Sequence, residues 1–360
     1  MILATHTEAA VLYRTNEPLR IVPLELPPLK PGQVKVDVAY SGVCKSQVLE
    51  VRGLRGPDRF LPHTLGHEGA GIVIDVGPGV QKVKPGDRVV LSWIKGAGAD
   101  VPSTVYRSAD GPVNSGAIST FMRQTVTCEN RVTPVPATMP LREGALLGCA
   151  VPTGAGIIMN RMNVTAGSSV AVFGVGGIGL GAVAGAKMQN AAIIIAVDVL
   201  DHKLEQARAV GATHVVNGAR EDAVAAIRAI VGRGVDYAIE SAGQRETMEG
   251  AFQSIRDAGG LCVLAGNLPH GQRIAIDPFD LIRGKQLAGT WGGETVLDRD
   301  VPLYVNLHLA GKLALGAFIT HEYPLEDINA ALDDLESGRV GRALIKMNTV
   351  SGCLHQEPQV

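Results

Sequence analysis

Apolar positions fall into two textures along this chain of 360 residues. Up to about Arg131 they come in short alternating or β-rich runs, at 33–39, 71–76 and 88–91. These runs are separated by Pro31-Gly32, Gly56-Pro57, Gly77-Pro78-Gly79 and Pro85-Gly86. Punctuation of that density predicts a compact, mostly β domain with short strands. From Ser168 onward, apolar runs at 169–173, 192–197, 235–239 and 261–265 alternate with helix-period patterns at 178–188, 202–210, 222–231 and 247–255. That alternation predicts βαβ units, giving a doubly wound parallel sheet covered by helices on both faces. After about Gly292 the texture is mixed again, with a helical pattern at 325–335 closed by Ser337-Gly338. The organisation expected is an α/β chain with a first domain over 1–150, an inserted nucleotide-type domain over 151–291, and a return to the first domain over 292–360.

Composition narrows the function classes. A formal net charge of −2 gives no electrostatic case for nucleic acid or an anionic membrane. The longest strongly apolar run, 191–197, is too short to span a bilayer and reads as a buried strand. The opening residues, Met-Ile-Leu-Ala-Thr-His, lack the basic and long apolar regions of a signal peptide, so a cytoplasmic protein is expected. Five cysteines spread from Cys44 to Cys353 do not form a disulfide framework in a chain of this length.

Gly174-Val-Gly176-Gly177-Ile-Gly179 follows an expected strand and opens an expected helix. In that context the first glycine permits a tight turn, the second admits a pyrophosphate, and the third lets helix and strand pack closely. The free N–H groups of the helix start, with their partial positive charge, suit phosphate. Asp198 ends the next strand and can accept from both hydroxyls of an adenosine ribose. It would repel a 2′-phosphate, and no Arg follows it in Val199-Leu200-Asp201, so NAD is expected over NADP.

Cys44, His67 and Cys149 lie in Gly42-Val-Cys44-Lys-Ser46, Gly66-His67-Glu68-Gly-Ala-Gly71 and Gly148-Cys149-Ala-Val-Pro-Thr153. Their spacing alone leaves open whether they pack as small apolar or hydrogen-bonded groups or hold a metal. Together with Lys84-Pro-Gly-Asp-Arg-Val89, the glycine motif, Gly211-Ala-Thr213 and the stretch from Ile319-Thr-His321 to Ile345, these segments resemble, in the same order, the zinc-containing medium-chain alcohol dehydrogenase family. The resemblance implies a Rossmann domain inserted in a mostly β, GroES-like catalytic domain. It also implies a catalytic zinc on Cys44, His67 and Cys149, the Cys₂His set for which alcohol dehydrogenases are known. Ser46 corresponds to the hydroxyl that takes the alcohol proton, and Glu68 to an electrostatic residue beside the metal. Thr153 and Ile178 correspond to residues at the nicotinamide, Lys203 to one near the adenosine ribose, and Lys45 and Arg342 to phosphate contacts. The implied activity is hydride transfer between NAD and a primary or secondary alcohol, or its aldehyde or ketone. The implied assembly is a homodimer or homotetramer paired through 275–292.

The chain also departs from the family. The stretch from Ser92 to Phe121, where many members carry four cysteines around a structural zinc, has none, and reads as a Gly/Ala/Ser-rich loop. One zinc per subunit is therefore expected. Cys128 and Cys262 are expected to pack, and Cys353 to be a free thiol. Gln47 stands where other members have an Asp supporting the metal-binding His, and Leu49 where they have a His that passes the proton to solvent. Arg52, Arg55 and Arg59 form either a solvated basic loop or a patch for a polar or anionic substrate. Two alternative classes keep the fold: a zinc-free quinone or enoyl reductase, and a non-catalytic NAD-binding relative. The Cys and His ligands with Asp198 argue against the first, and the ligands with Ser46 against the second.

Overall fold

The computed structural model describes residues 5–347. Cys353 lies outside the described residues, as do the first four positions. The chain divides into one unit made of Met1–Cys149, Val296–Leu315 and Ile319–Val360, and a second made of Ala150–Thr295 with Gly316–Phe318.

In the first unit, Gln33–Gly42 is buried at all but one position, which fits a strand paired on both sides. It pairs antiparallel with Glu68–Val76, Gln124–Cys128 and Ala343–Lys346 in a seven-stranded sheet. Val34, Val36 and Val38 alternate along it and pack into a cluster with Val73, Val89, Leu91, Val132 and Ile345. A closed barrel of His6–Leu12, Arg20–Glu25, Val105–Ser108, Gly111–Asn114 and His63–Thr64 completes the β structure. The stretch read as a loop therefore contains a hairpin, Val105–Ser108 with Gly111–Asn114, turned at Ala109-Asp110. Gly111 takes φ 119, a left-handed value that glycine adopts without penalty.

The second unit holds six parallel strands in the order His214–Asn217, Ile193–Asp198, Ser169–Phe173, Tyr237–Glu240, Leu261–Leu264 and Gln286–Gly289. Connections run one way from Ser169–Phe173 and then the other, so the order reverses beside that strand. Open α/β sheets bind ligands at such a switch point, beyond the carboxyl ends of the strands. Phe173, Ile195, Val197, Ala238 and Cys262 fill the core beneath Ala223–Val231 and Arg245–Ser254. Among the described residues, no helix is long and apolar enough to cross a membrane.

Candidate metal centre and dinucleotide turn

Three separate elements deliver Cys44, His67 and Cys149. Cys44 precedes the short helix Lys45–Val51, and the side-chain oxygen of Gln47 accepts its N–H at 3.0 Å. His67 follows Gly66, whose φ of 93 and contact with Thr120 exclude a side chain. The His67 carbonyl then accepts from Trp93 N–H at 3.0 Å. Cys149 follows Gly148, where a Cβ would fall 2.2 Å from the Leu91 carbonyl, and Ser92 Oγ donates to the Gly148 carbonyl at 2.6 Å.

The ligand atoms of Cys44, His67 and Cys149 all lie within 4.8 Å of one another. A hydrogen bond from Cys149 holds the Cys44 thiol well below the ordinary cysteine range against the opposing effect of burial, and His67 and Arg342 reinforce the lowering. Two thiols and an imidazole converging in this way, one thiol biased toward thiolate, have the donor chemistry of a tetrahedral zinc site with one open position. Ser46 Oγ donates to Cys44 Sγ at 3.4 Å, so its hydroxyl stands at this cluster.

Behind the cluster, Glu68 is completely buried and forms an ion pair with Arg342, whose Nη1 also donates to the Val43 carbonyl at 2.8 Å. Arg342 is only 3% exposed, so its guanidinium is engaged with Glu68 and the backbone before Cys44. Gln47 is likewise engaged with Cys44 through its oxygen, and its amide Nε2 has no hydrogen-bond partner among the described residues. Lys45 is exposed at the start of its helix.

In the second unit two glycines of the turn are required by close neighbours and a third leaves space. Gly174 takes φ 81, and a Cβ there would fall 2.6 Å from Ala242 N; at Gly179 a Cβ would fall 2.0 Å from the Gly174 carbonyl. A Cβ at Gly176 meets nothing within 4 Å. It faces open space at the mouth of the helix Gly177–Met188, where a pyrophosphate needs room. Asp198 closes its strand with Oδ2 accepting from Val175 N–H at 3.0 Å and Oδ1 from Val199 N–H at 2.8 Å. Ile178 is half-buried in the first turn of that helix, and Lys203 half-buried on Asp201–Val210. Thr153, on Ala150–Gly156, is buried with a hydroxyl that has no hydrogen-bond partner among the described residues.

Cys128 is buried, with its thiol donating to the Val101 carbonyl at 3.0 Å, and burial pushes the Cys262 thiol up. Neither belongs to the metal cluster. The loop arginines are mostly engaged: Arg52 pairs with Asp333 and Glu336, Arg55 lies 3.5 Å from Glu50, and Arg59 stacks over Phe60. One grouping was not singled out from the sequence. The ligand atoms of Glu50, Asp58 and His63 also lie within 4.8 Å of one another. They sit on a helix, the loop after it and the strand that follows, so their spacing matches no single helix or strand period, and an isolated His before Thr64-Leu65-Gly66 gives no signal of its own.

Comparison with known proteins places this geometry. Residues 30–137 match the alcohol dehydrogenase GroES-like domain, and residues 177–308 the zinc-binding dehydrogenase domain. An S-(hydroxymethyl)glutathione dehydrogenase of Synechocystis sp. is 33% identical over 366 residues, covering 94% of this chain and 99% of the relative. The chain belongs to the zinc-containing medium-chain alcohol dehydrogenase family. Its GroES-like and Rossmann-type parts follow the fold of that family. Among solved structures, an alcohol dehydrogenase zinc-binding domain protein from Burkholderia ambifaria superposes with a TM-score of 0.87 at 33% identity, covering 95% of this chain and 98% of the other. Benzyl alcohol dehydrogenase from Acinetobacter calcoaceticus superposes with a TM-score of 0.86 at 29% identity, covering 96% and 100%.

Proposed function

We propose that this protein is an NAD- and zinc-dependent alcohol dehydrogenase interconverting a primary or secondary alcohol with its aldehyde or ketone. The convergence of Cys44, His67 and Cys149 within 4.8 Å carries the reading. A zinc ion held by those three would supply Lewis acidity at its open position, and a nicotinamide would supply the hydride acceptor. Ser46 accepts the alcohol proton. Glu68, neutralised by Arg342, sets the field behind the ligands. Gly174, Gly176, Gly177 and Gly179 admit the pyrophosphate, with Lys45 as a further phosphate contact, and Asp198 and Lys203 hold the ribose. Thr153 and Ile178 bound the nicotinamide. Arg342 acts through Glu68, and any phosphate contact would draw on the same guanidinium.

Relatives named for S-(hydroxymethyl)glutathione and for benzyl alcohol make primary alcohols the first substrates to test. The pairing of Arg52 with Asp333 and Glu336 weakens the case for an anionic substrate there. The deciding experiment follows NAD reduction across aliphatic, aromatic and sugar alcohols and S-(hydroxymethyl)glutathione, with metal analysis alongside. About one zinc per subunit is expected. Turnover by metal-free protein, or two tightly held zincs, would overturn the corresponding part.

Coenzyme choice is tested at Asp198. The carboxylate should favour NAD by an amount on the order of a few kcal/mol through repulsion of a 2′-phosphate. Asp198→Gly with Val199→Arg should move the kcat/KM ratio toward NADP. Equal use of both coenzymes by the unmodified protein would contradict the role given to Asp198.

We also propose a homodimer or homotetramer built on the outer strand Gln286–Gly289, beside which Ile282 is 76% and Trp291 81% exposed. Trp291→Glu with Ile282→Glu should shift sedimentation toward monomer. A native protein that sediments as monomer at micromolar concentration would rule the assembly out.

A further inference from the structure

Oxidation of an alcohol releases one proton for each hydride transferred, and that proton must reach water. Leu49, 7% exposed, can neither carry it nor solvate it. Glu50 is the only carboxylate on the helix Lys45–Val51, four residues beyond Ser46. Residues four apart share one helix face, with Cβ atoms about 5–6 Å apart. The Glu50 side chain is 27% exposed, so a group on the helix face of Ser46 also reaches solvent.

The carboxylate is held from both sides. Arg55 Nη1 lies 3.5 Å from Oε2, and His63 Nε2 lies 3.9 Å from Oε1. His63, buried on the barrel strand His63–Thr64, is fixed in turn by Asp58 Oδ2, 2.8 Å from Nε2, and by the Thr64 carbonyl, 3.0 Å from Nδ1. Both ring nitrogens thus meet oxygens that accept, which fixes the ring beside the Glu50 carboxylate. Asp333 and Glu336, the nearby acids of Ile328–Glu336 and its end, are paired with Arg52.

We propose that Glu50 is the proton-exit group of the reaction, taking the alcohol proton by way of Ser46 and a bridging water and passing it to solvent, with His63 and Asp58 positioning it. The proposal rests on the alcohol dehydrogenase activity proposed above. The alcohol O–H bond breaks and its proton goes to Ser46 Oγ. The Ser46 proton passes through the water to the Glu50 carboxylate, and Glu50 then releases it to bulk water. The two electrons of the alcohol C–H bond leave as hydride to NAD, so the alcohol is oxidised, NAD is reduced, and Ser46 and Glu50 return to their starting states.

The test mixes the full-length zinc-loaded protein with NAD and trifluoroethanol, an alcohol that resists hydride loss, and follows proton release with a pH indicator in a stopped-flow instrument. Single-turnover oxidation of an active alcohol is measured beside it. Glu50→Gln is expected to slow proton release about tenfold or more, with added imidazole restoring the rate in proportion to its concentration and with NAD affinity unchanged. His63→Gln should give a smaller loss and a displaced pH profile. Asp58→Asn replaces it if removal of the buried ring prevents folding. Release at the unmodified rate in Glu50→Gln, or a loss that imidazole does not restore, overturns the proposal. An unmodified protein that neither releases a proton nor oxidises any alcohol overturns the proposed activity, and this inference with it.

Discussion

Cys149→Ser is expected to lose alcohol turnover by a factor on the order of 10³ or more, corresponding to several kcal/mol of transition-state stabilisation. The hydroxyl is a weak ligand at neutral pH, so the change leaves only Cys44 and His67 as strong donors for the metal. Cys149 belongs to the first unit, whereas Gly174, Gly176, Gly179 and Asp198 belong to the second. NADH binding, followed by its fluorescence, should therefore change little while metal content and single-turnover rate collapse. A variant with undiminished turnover and zinc content would remove Cys149 from the site. Gly148→Ala should produce a related loss without touching a ligand, because its Cβ would strike the Leu91 carbonyl and Glu68.

Glu129→Ala should destabilise the first unit by about 2–4 kcal/mol, because it strips the acceptor from three backbone N–H groups at once. Oε1 accepts from Gln81 at 2.6 Å and Lys82 at 2.7 Å, and Oε2 from Ala99 at 2.9 Å. Together with the ion pair between Lys82 and Asp298, this carboxylate ties down the cysteine-free segment around residues 95–100. The loss is read from urea melts of the original and the variant. Burial tends to raise the Glu129 carboxyl, but the N–H groups of Ala99, Gln81 and Lys82 and the Lys82 charge outweigh it and hold it below the usual range. A carboxyl with its folded value depressed contributes fully above its unfolded pKa, about 4.3 for Glu, and less as pH falls through the folded value. The gap between original and variant should thus be constant near neutrality and narrow below about pH 4. An equal melt at pH 7 would show that water replaces the carboxylate without cost.

Legibility in the sequence followed how far each segment is buried. The run expected at 169–173 is the strand Ser169–Phe173, since a strand covered on both faces must be apolar throughout. The hairpin at Val105–Ser108 and Gly111–Asn114 escaped because Val105 is 53% exposed and Pro112 sits inside a short strand. The helix Leu297–Leu309 was also missed, since Pro302 lies within it and reads locally as a stop. Of the site, the glycine turn was legible because its strand, its spacing and its helix are contiguous in sequence, although the neighbour that excludes a side chain at Gly174, Ala242, is not. The engagement of Arg342 with Glu68, and of Arg52 with Asp333 and Glu336, was not legible. These pairs join positions far apart in sequence, and nothing in either neighbourhood announces its partner. The cluster of Glu50, Asp58 and His63 was hidden for the converse reason, since its members are close in sequence but joined by an irregular loop.

The strand Ala343–Lys346 lies between Gln33–Gly42 and His321–Pro324, and Arg342 meets Val43 across 299 residues of chain. On a ribosome, the half of the molecule made first cannot complete its sheet until the codons for Ala343–Lys346 are read. At about 5–20 residues per second, the Glu68 carboxylate waits on the order of 15–60 s for the guanidinium that neutralises it. The strands of the parallel sheet, the last of which ends at Gly289, are made before that. Nascent chains arrested before residue 342 should accordingly resist protease across the nucleotide-type unit while the metal-ligand half remains open to cleavage.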